Sequence, residues 1–187
     1  MVQTPTKLIS LEEFLQLPET KPACEYSDGE IVRKAMPQVQ HSVIQSELSA
    51  TINTTLKKTR SARVFIELRC IFGGNAIVPD ISVFKRDRIP RDANGEVANV
   101  FLSPPDWIIE IFSPEESATK TVKKILRCLE NGTQMGWLID PSDRAVFVYF
   151  PAQKPECFDE RDRRLPVPAF ASQLQLTVGE LFDWLAE

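Results

Sequence analysis

The chain has 187 residues, of which 43% are apolar and 26% charged, with a formal net charge of −4. That composition suits one compact soluble domain, residues 1–187, long enough for a core of its own, and excludes a general attraction to nucleic acid. No apolar run reaches the roughly 20 residues that cross a bilayer, and residues 1–7 lack the basic-then-apolar order of a secretion signal.

Ser10-Leu11-Glu12-Glu13 is a capping box, in which the serine hydroxyl accepts from an orphan N–H and Glu13 reaches back. It predicts a short helix through Phe14, Leu15 and Leu17 that stops at Pro18. Residues 24–27 and 30–34 flank Asp28-Gly29 and predict a hairpin, with Glu25 in its first strand. A helix is expected from near His41. Over residues 42–57, Ile44, Leu48, Ile52 and Leu56 recur every four positions and make one apolar stripe. His41 stands at the start of that stripe, where a lone histidine reads first as a structural group.

Residues 63–72 are expected to form one strand, Gly73-Gly74-Asn75 a turn, and residues 76–84 the partner strand. That partner is apolar and β-branched except at Pro79 and Asp80. Residues 86–99 are polar and hold Pro90 and Gly95, a surface loop. Residues 107–112 are then apolar except at Glu110, which reads as a buried strand of a mixed or parallel sheet. Burying a carboxylate there is costly unless something positive holds it. Two strands, each with one carboxylate where apolar residues are expected, could make a two-carboxylate metal site from Asp80 and Glu110.

Ser113-Pro114-Glu115-Glu116 predicts the next helix, with serine at the N-cap, proline at the first helical position and glutamate closing the box. Val122, Ile125, Leu126 and Leu129 give its apolar face, and Asn131-Gly132 its stop. Lys124 points away from that stripe, so helical spacing alone makes it a solvated residue. Residues 135–139 are a further buried strand and residues 144–150 its antiparallel partner, across a turn at residues 140–143. Residues 151–168 read as loop with at most one short strand. Thr177-Val178-Gly179-Glu180 is another capping box and opens a last helix through Trp184. The order of elements describes an α/β fold with a mixed sheet flanked by helices.

The four cysteines, Cys24, Cys70, Cys128 and Cys157, have no paired spacing. This argues against a zinc site and a disulfide framework, and for a reduced, cytoplasmic protein. Three local clusters could still meet a nucleic acid: Lys57, Lys58, Arg60 and Arg63; Lys85, Arg86, Arg88 and Arg91; Lys120, Lys123, Lys124 and Arg127. Each alone reads equally as solvated surface charge.

Taken in order, CEYSDGEIVRKAMP, His41-Ser42, VPDISVF, PPDWIIEIFSP, a helix ending in Asn-Gly, and WLIDP resemble the Uma-type putative endonucleases, a bacterial family of restriction-endonuclease-like PD-(D/E)XK fold. The resemblance runs from about Leu8 to Leu185. It implies a divalent-metal nuclease that cleaves DNA with Mg²⁺ or Mn²⁺, with Asp80 and Glu110 as metal ligands. Oxygen ligands from two strands suit Mg²⁺, which keeps several waters. Phe112 stands two residues after Glu110, where the general pattern has a lysine. The resemblance puts that lysine on the following helix instead, four residues before a tyrosine and eight before a glycine. Counting back from Gly132 places Cys128 at the tyrosine position and Lys124 at the lysine position. Glu25 and His41 match residues that line the family's site. Cutting both strands would call for two sites, so a homodimer is compatible with this reading. The alternative is a catalytically silent descendant of the nuclease fold that binds nucleic acid or protein.

Overall fold

The structure is a computed structural model and describes residues 9–186; the segment read for a secretion signal lies outside the described residues. Local signals build the first elements. Ser10 Oγ accepts from Glu13 N at 3.1 Å, and Glu13 Oε2 accepts from Ser10 N at 2.7 Å, opening α1 (Leu11–Leu15). Strands β1 (Cys24–Ser27) and β2 (Glu30–Arg33) pair antiparallel across Asp28 and Gly29, whose φ of 53° and 82° suit a two-residue hairpin turn. Helix α2 (Val39–Thr59) buries His41, Ile44, Leu48, Ile52 and Leu56 along one face.

The predicted long hairpin exists but is divided between two sheets. Its outer part is β3 (Ala62–Ile66) with β6 (Ile81–Lys85), and its tip is β4 (Cys70–Phe72) with β5 (Asn75–Ile77). One register runs through both parts, since Ile66 opposes Ile81 and Cys70 opposes Ile77. Between them the ladder breaks at residues 67–69 and 78–80. Pro79 has no N–H to give, Glu67 takes a positive φ of 50°, and Glu67 N to the Asp80 carbonyl at 3.3 Å still ties the two sides. The ribbon therefore bends with Asp80 at the bend. The tip joins the first hairpin in a four-stranded sheet of order β2-β1-β5-β4.

The outer part joins β7 (Trp107–Ile111), β8 (Met135–Asp140), β9 (Ala145–Tyr149) and β10 (Glu156–Phe158) in a six-stranded sheet of order β10-β9-β8-β7-β6-β3. It is mixed, because β7 is parallel to β8 and antiparallel to β6. Side chains alternate across a strand. Trp107, Ile109 and Ile111 accordingly pack on the face covered by the α2 stripe and by α4 (Val178–Asp183), whose capping box at Thr177 is formed. Ile108 packs on the opposite face with Ile125 and Leu129 of α3 (Ala118–Glu130). Gly136 of β8 lets α3 lie close, because a Cβ there would collide with the Ile125 side chain. Among the described residues no helix is long and apolar enough to cross a membrane.

Two expectations for α3 are corrected. Its N-cap is Ser117, which accepts from Lys120 N, rather than Ser113. The β7–β8 pairing persists through Phe112 N to the Ile139 carbonyl at 2.8 Å, so the chain is tied to the sheet until the residue before Ser113. Residues 113–116 turn instead, closed by Glu116 N to the Ser113 carbonyl at 2.9 Å. The buried face is Thr121, Ile125, Cys128 and Leu129, while Leu126 is 43% exposed. That rotation of the face turns Lys124 inward, and the lysine expected in solvent has a side chain only 11% exposed.

Candidate active site

Strands β6 and β7 bring the two carboxylates together. Ile81 opposes Ile109, and one step further along the same antiparallel register Asp80 comes beside Glu110. Asp80 Oδ2 accepts the backbone N–H of Ile111 at 2.8 Å, which locks the carboxylate to the next strand. His41, in the first turn of α2, sets Nε2 3.1 Å from the same oxygen. Gln45, one turn later, donates to the Asp80 carbonyl at 2.9 Å.

The second oxygen of Asp80 belongs to Lys34, which directly follows β2. Its backbone N–H bonds the Ala23 carbonyl, extending the hairpin pairing by one step. Its ammonium lies 2.6 Å from Asp80 Oδ1, 2.9 Å from the Val78 carbonyl and 3.1 Å from Glu67 Oε1. All three ammonium protons thus have acceptors. On the other side, Lys124 Nζ is 2.8 Å from Glu25 Oε1 and 3.2 Å from Glu110 Oε2. Glu25 Oε1 also accepts Val78 N at 2.7 Å, so the bend is pinned to both hairpin and helix. Among the described residues, Glu110 Oε1 is buried without a hydrogen-bond partner, as are His41 Nδ1 and Ser113 Oγ.

The two carboxylates differ electrostatically. Burial alone would raise the Asp80 pKa, but the Lys34 ammonium and His41 outweigh it and hold the carboxyl well below the usual range. Burial dominates at Glu110 and pushes it well above the usual range, because Lys124 is shared with Glu25 and one oxygen lacks a donor. Burial opposes the charge on both lysines too. The surrounding carboxylates win, Asp80 foremost at Lys34 and Glu110 foremost at Lys124, and hold both well above the ordinary lysine value.

All five residues expected to line the site, Asp80, Glu110, Lys124, Glu25 and His41, converge in this one cluster. Lys34 and Gln45 were missed. The signal for Lys34 was charge balance, since the two carboxylates placed in apolar runs, Asp80 and Glu110, need more than one cation. At the tyrosine position, Cys128 is buried in the apolar layer beneath α3, and burial pushes its thiol well up. The basic clusters are partly consumed by pairing: Arg88 binds Asp106 at 2.8 Å, Arg127 binds Asp28 at 2.6 Å, and Lys124 serves the site.

The donor set fits a hard divalent cation. Asp80 and Glu110 present carboxylate oxygens, and Glu110 Oε1 has no hydrogen-bond partner among the described residues. Among the described residues no three of His, Cys, Asp or Glu form a ready-made ligand cluster. A cation that keeps several waters needs no such cluster.

Residues 11–179 match the model of the Uma2 family, described as putative restriction endonuclease. The chain is also similar to a crystal structure of a putative nuclease belonging to DUF820 from Anabaena variabilis ATCC 29413. The identity is 59%, the TM-score 0.94, and the match covers 95% of this chain and 99% of that one. No match was found among curated proteins.

Proposed function

Because this chain belongs to the Uma2 (putative restriction endonuclease) family, we propose that it hydrolyses phosphodiester bonds of DNA with a divalent cation, Mg²⁺ or Mn²⁺. The observation that carries this reading is the asymmetric carboxylate pair: a fully bonded Asp80 beside a Glu110 with one buried oxygen unclaimed. Asp80 and Glu110 would hold the cation, which when bound lowers the pKa of a coordinated water and balances charge on the phosphate. Lys34, His41 and the Ile111 N–H orient Asp80 so that its geometry is set before any ligand arrives. Lys124, backed by Glu25, places a fixed positive charge beside Glu110, where negative charge on a cleaved phosphate would need stabilising. Cutting both strands of a duplex calls for two such sites, so a homodimer acting in the cytoplasm belongs to this reading.

Calorimetric titration with Mn²⁺ tests it. Wild type is expected to bind the ion and to cut plasmid DNA with Mg²⁺ or Mn²⁺, and Asp80→Ala to do neither. Unchanged Mn²⁺ binding in Asp80→Ala would remove the metal assignment. Binding without cleavage of any DNA or RNA would leave the silent, nucleic-acid-binding descendant, a reading favoured by the buried Cys128 at the tyrosine position.

A further inference from the structure

The turn at residues 113–116, which replaces the expected helix start, puts Glu116 on the wall of the site. A cleft of about 930 Å³ is bordered by Lys34, His41, Asp80, Ser113 and Glu116. A smaller cavity of about 380 Å³, which shares Lys34 and Glu116 with it, is also bordered by Glu25 and Lys124. Titratable groups that border the same cleft and cavity as Glu116 include Asp80 at the bend, Lys34 after β2, His41 on α2 and Lys124 on α3. Both lysines are committed elsewhere, Lys34 to Asp80 and Glu67, Lys124 to Glu25 and Glu110. Among the described residues no cation lies in ion-pair contact with Glu116.

Hydrolysis needs a group that takes a proton from the attacking water, and the cluster offers few. Lys34 and Lys124 are already ammonium ions bonded to carboxylates. Asp80 has both oxygens occupied. The free oxygen of Glu110 is the one assigned above to the cation, and the free nitrogen of His41 has no solvent exposure. Glu116 is only half-buried and borders the cleft.

We infer that Glu116 is the general base of the hydrolysis. The inference rests on the nuclease reading above. The water oxygen bonds to phosphorus as its proton passes to the Glu116 carboxylate. The P–O bond to the leaving nucleoside breaks, and that oxygen takes a proton from solvent.

Four measurements on Glu116→Gln test it: kcat, the pH profile of kcat, Mn²⁺ calorimetry and thermal melting. The expected result is a fall in kcat of about 10²- to 10⁴-fold, loss of the acid limb of the profile, and unchanged Mn²⁺ affinity and melting. Glu116→Asp should recover part of the rate, while Glu115→Gln, at an exposed neighbour, should cut like wild type. Cleavage by Glu116→Gln at the wild-type rate with the wild-type profile would overturn the inference and leave the nuclease reading standing. Loss of Mn²⁺ binding in the same variant would make Glu116 a metal ligand and overturn it too. A wild type that cuts nothing would overturn both.

Discussion

Asp80 and Glu110 sit side by side on neighbouring strands, yet the fold treats them oppositely. Asp80 receives a lysine, a histidine and a backbone N–H. Glu110 receives part of one shared lysine and has a buried oxygen with no donor. Leaving a buried acceptor unsatisfied costs about 1–3 kcal/mol, so the arrangement at Glu110 opposes folding while that at Asp80 supports it. Half of the pair belongs to the architecture of the bend, and the other half has an oxygen that no donor among the described residues satisfies.

The sharpest way to break this contrast is to remove each lysine in turn. Lys34→Met strands the Asp80 carboxylate in the interior and should cost about 3–5 kcal/mol of unfolding free energy, the range for breaking a buried pair from one side. Lys124→Met should cost less, about 1–3 kcal/mol, because Glu110 can hold a proton and Glu25 keeps the Val78 N–H. Under the proposed function its cleavage rate should nonetheless fall by orders of magnitude, and Lys123→Met should not reproduce that fall. Urea denaturation of the two Met variants measures the order, and equal losses would erase the asymmetry.

Glu110→Gln should leave the metal-free protein as stable as wild type or more so, while abolishing Mn²⁺ binding. A large drop in melting temperature would instead make Glu110 a structural partner of Lys124. The smallest effect is in the pH dependence. A carboxyl whose folded pKa is depressed, as at Asp80, adds stability above its unfolded value of about 3.9 and loses it as pH falls. One whose folded pKa is raised, as at Glu110, contributes most below its unfolded value of about 4.3 and loses that as pH rises. The melting temperature of Glu110→Gln should therefore gain on wild type as pH climbs from about 4 toward neutrality. A constant gap would show that Glu110 titrates as an ordinary carboxylate.

Much of the molecule was legible in its sequence. The capping boxes at Ser10 and Thr177, the Asp28-Gly29 turn, the α2 stripe and the Asn131-Gly132 stop are all settled by groups a few residues apart. Local hydrogen bonds and helical periodicity decide such features wherever the segment finally lies. The five residues of the candidate cluster were legible for another reason, since a carboxylate inside a β-rich run stands out against its neighbours and the remaining three follow from the family resemblance.

What the sequence could not decide was set by partners far along the chain. Lys34 meets Asp80 across 46 positions and Glu25 meets Val78 across 53. No local pattern marks either pair before the two hairpins share a sheet. Two serines, Ser113 and Ser117, compete to cap α3, and the choice falls to Ser117 only because β8 holds the chain in the sheet as far as Phe112. The same packing rotates α3 onto Gly136 and turns Lys124 from solvent to the site. Local chemistry thus determined which elements form, and the contact between sheets and helix determined which of their polar groups are buried together, because only burial makes an unpaired charge expensive enough to dictate where the chain must go.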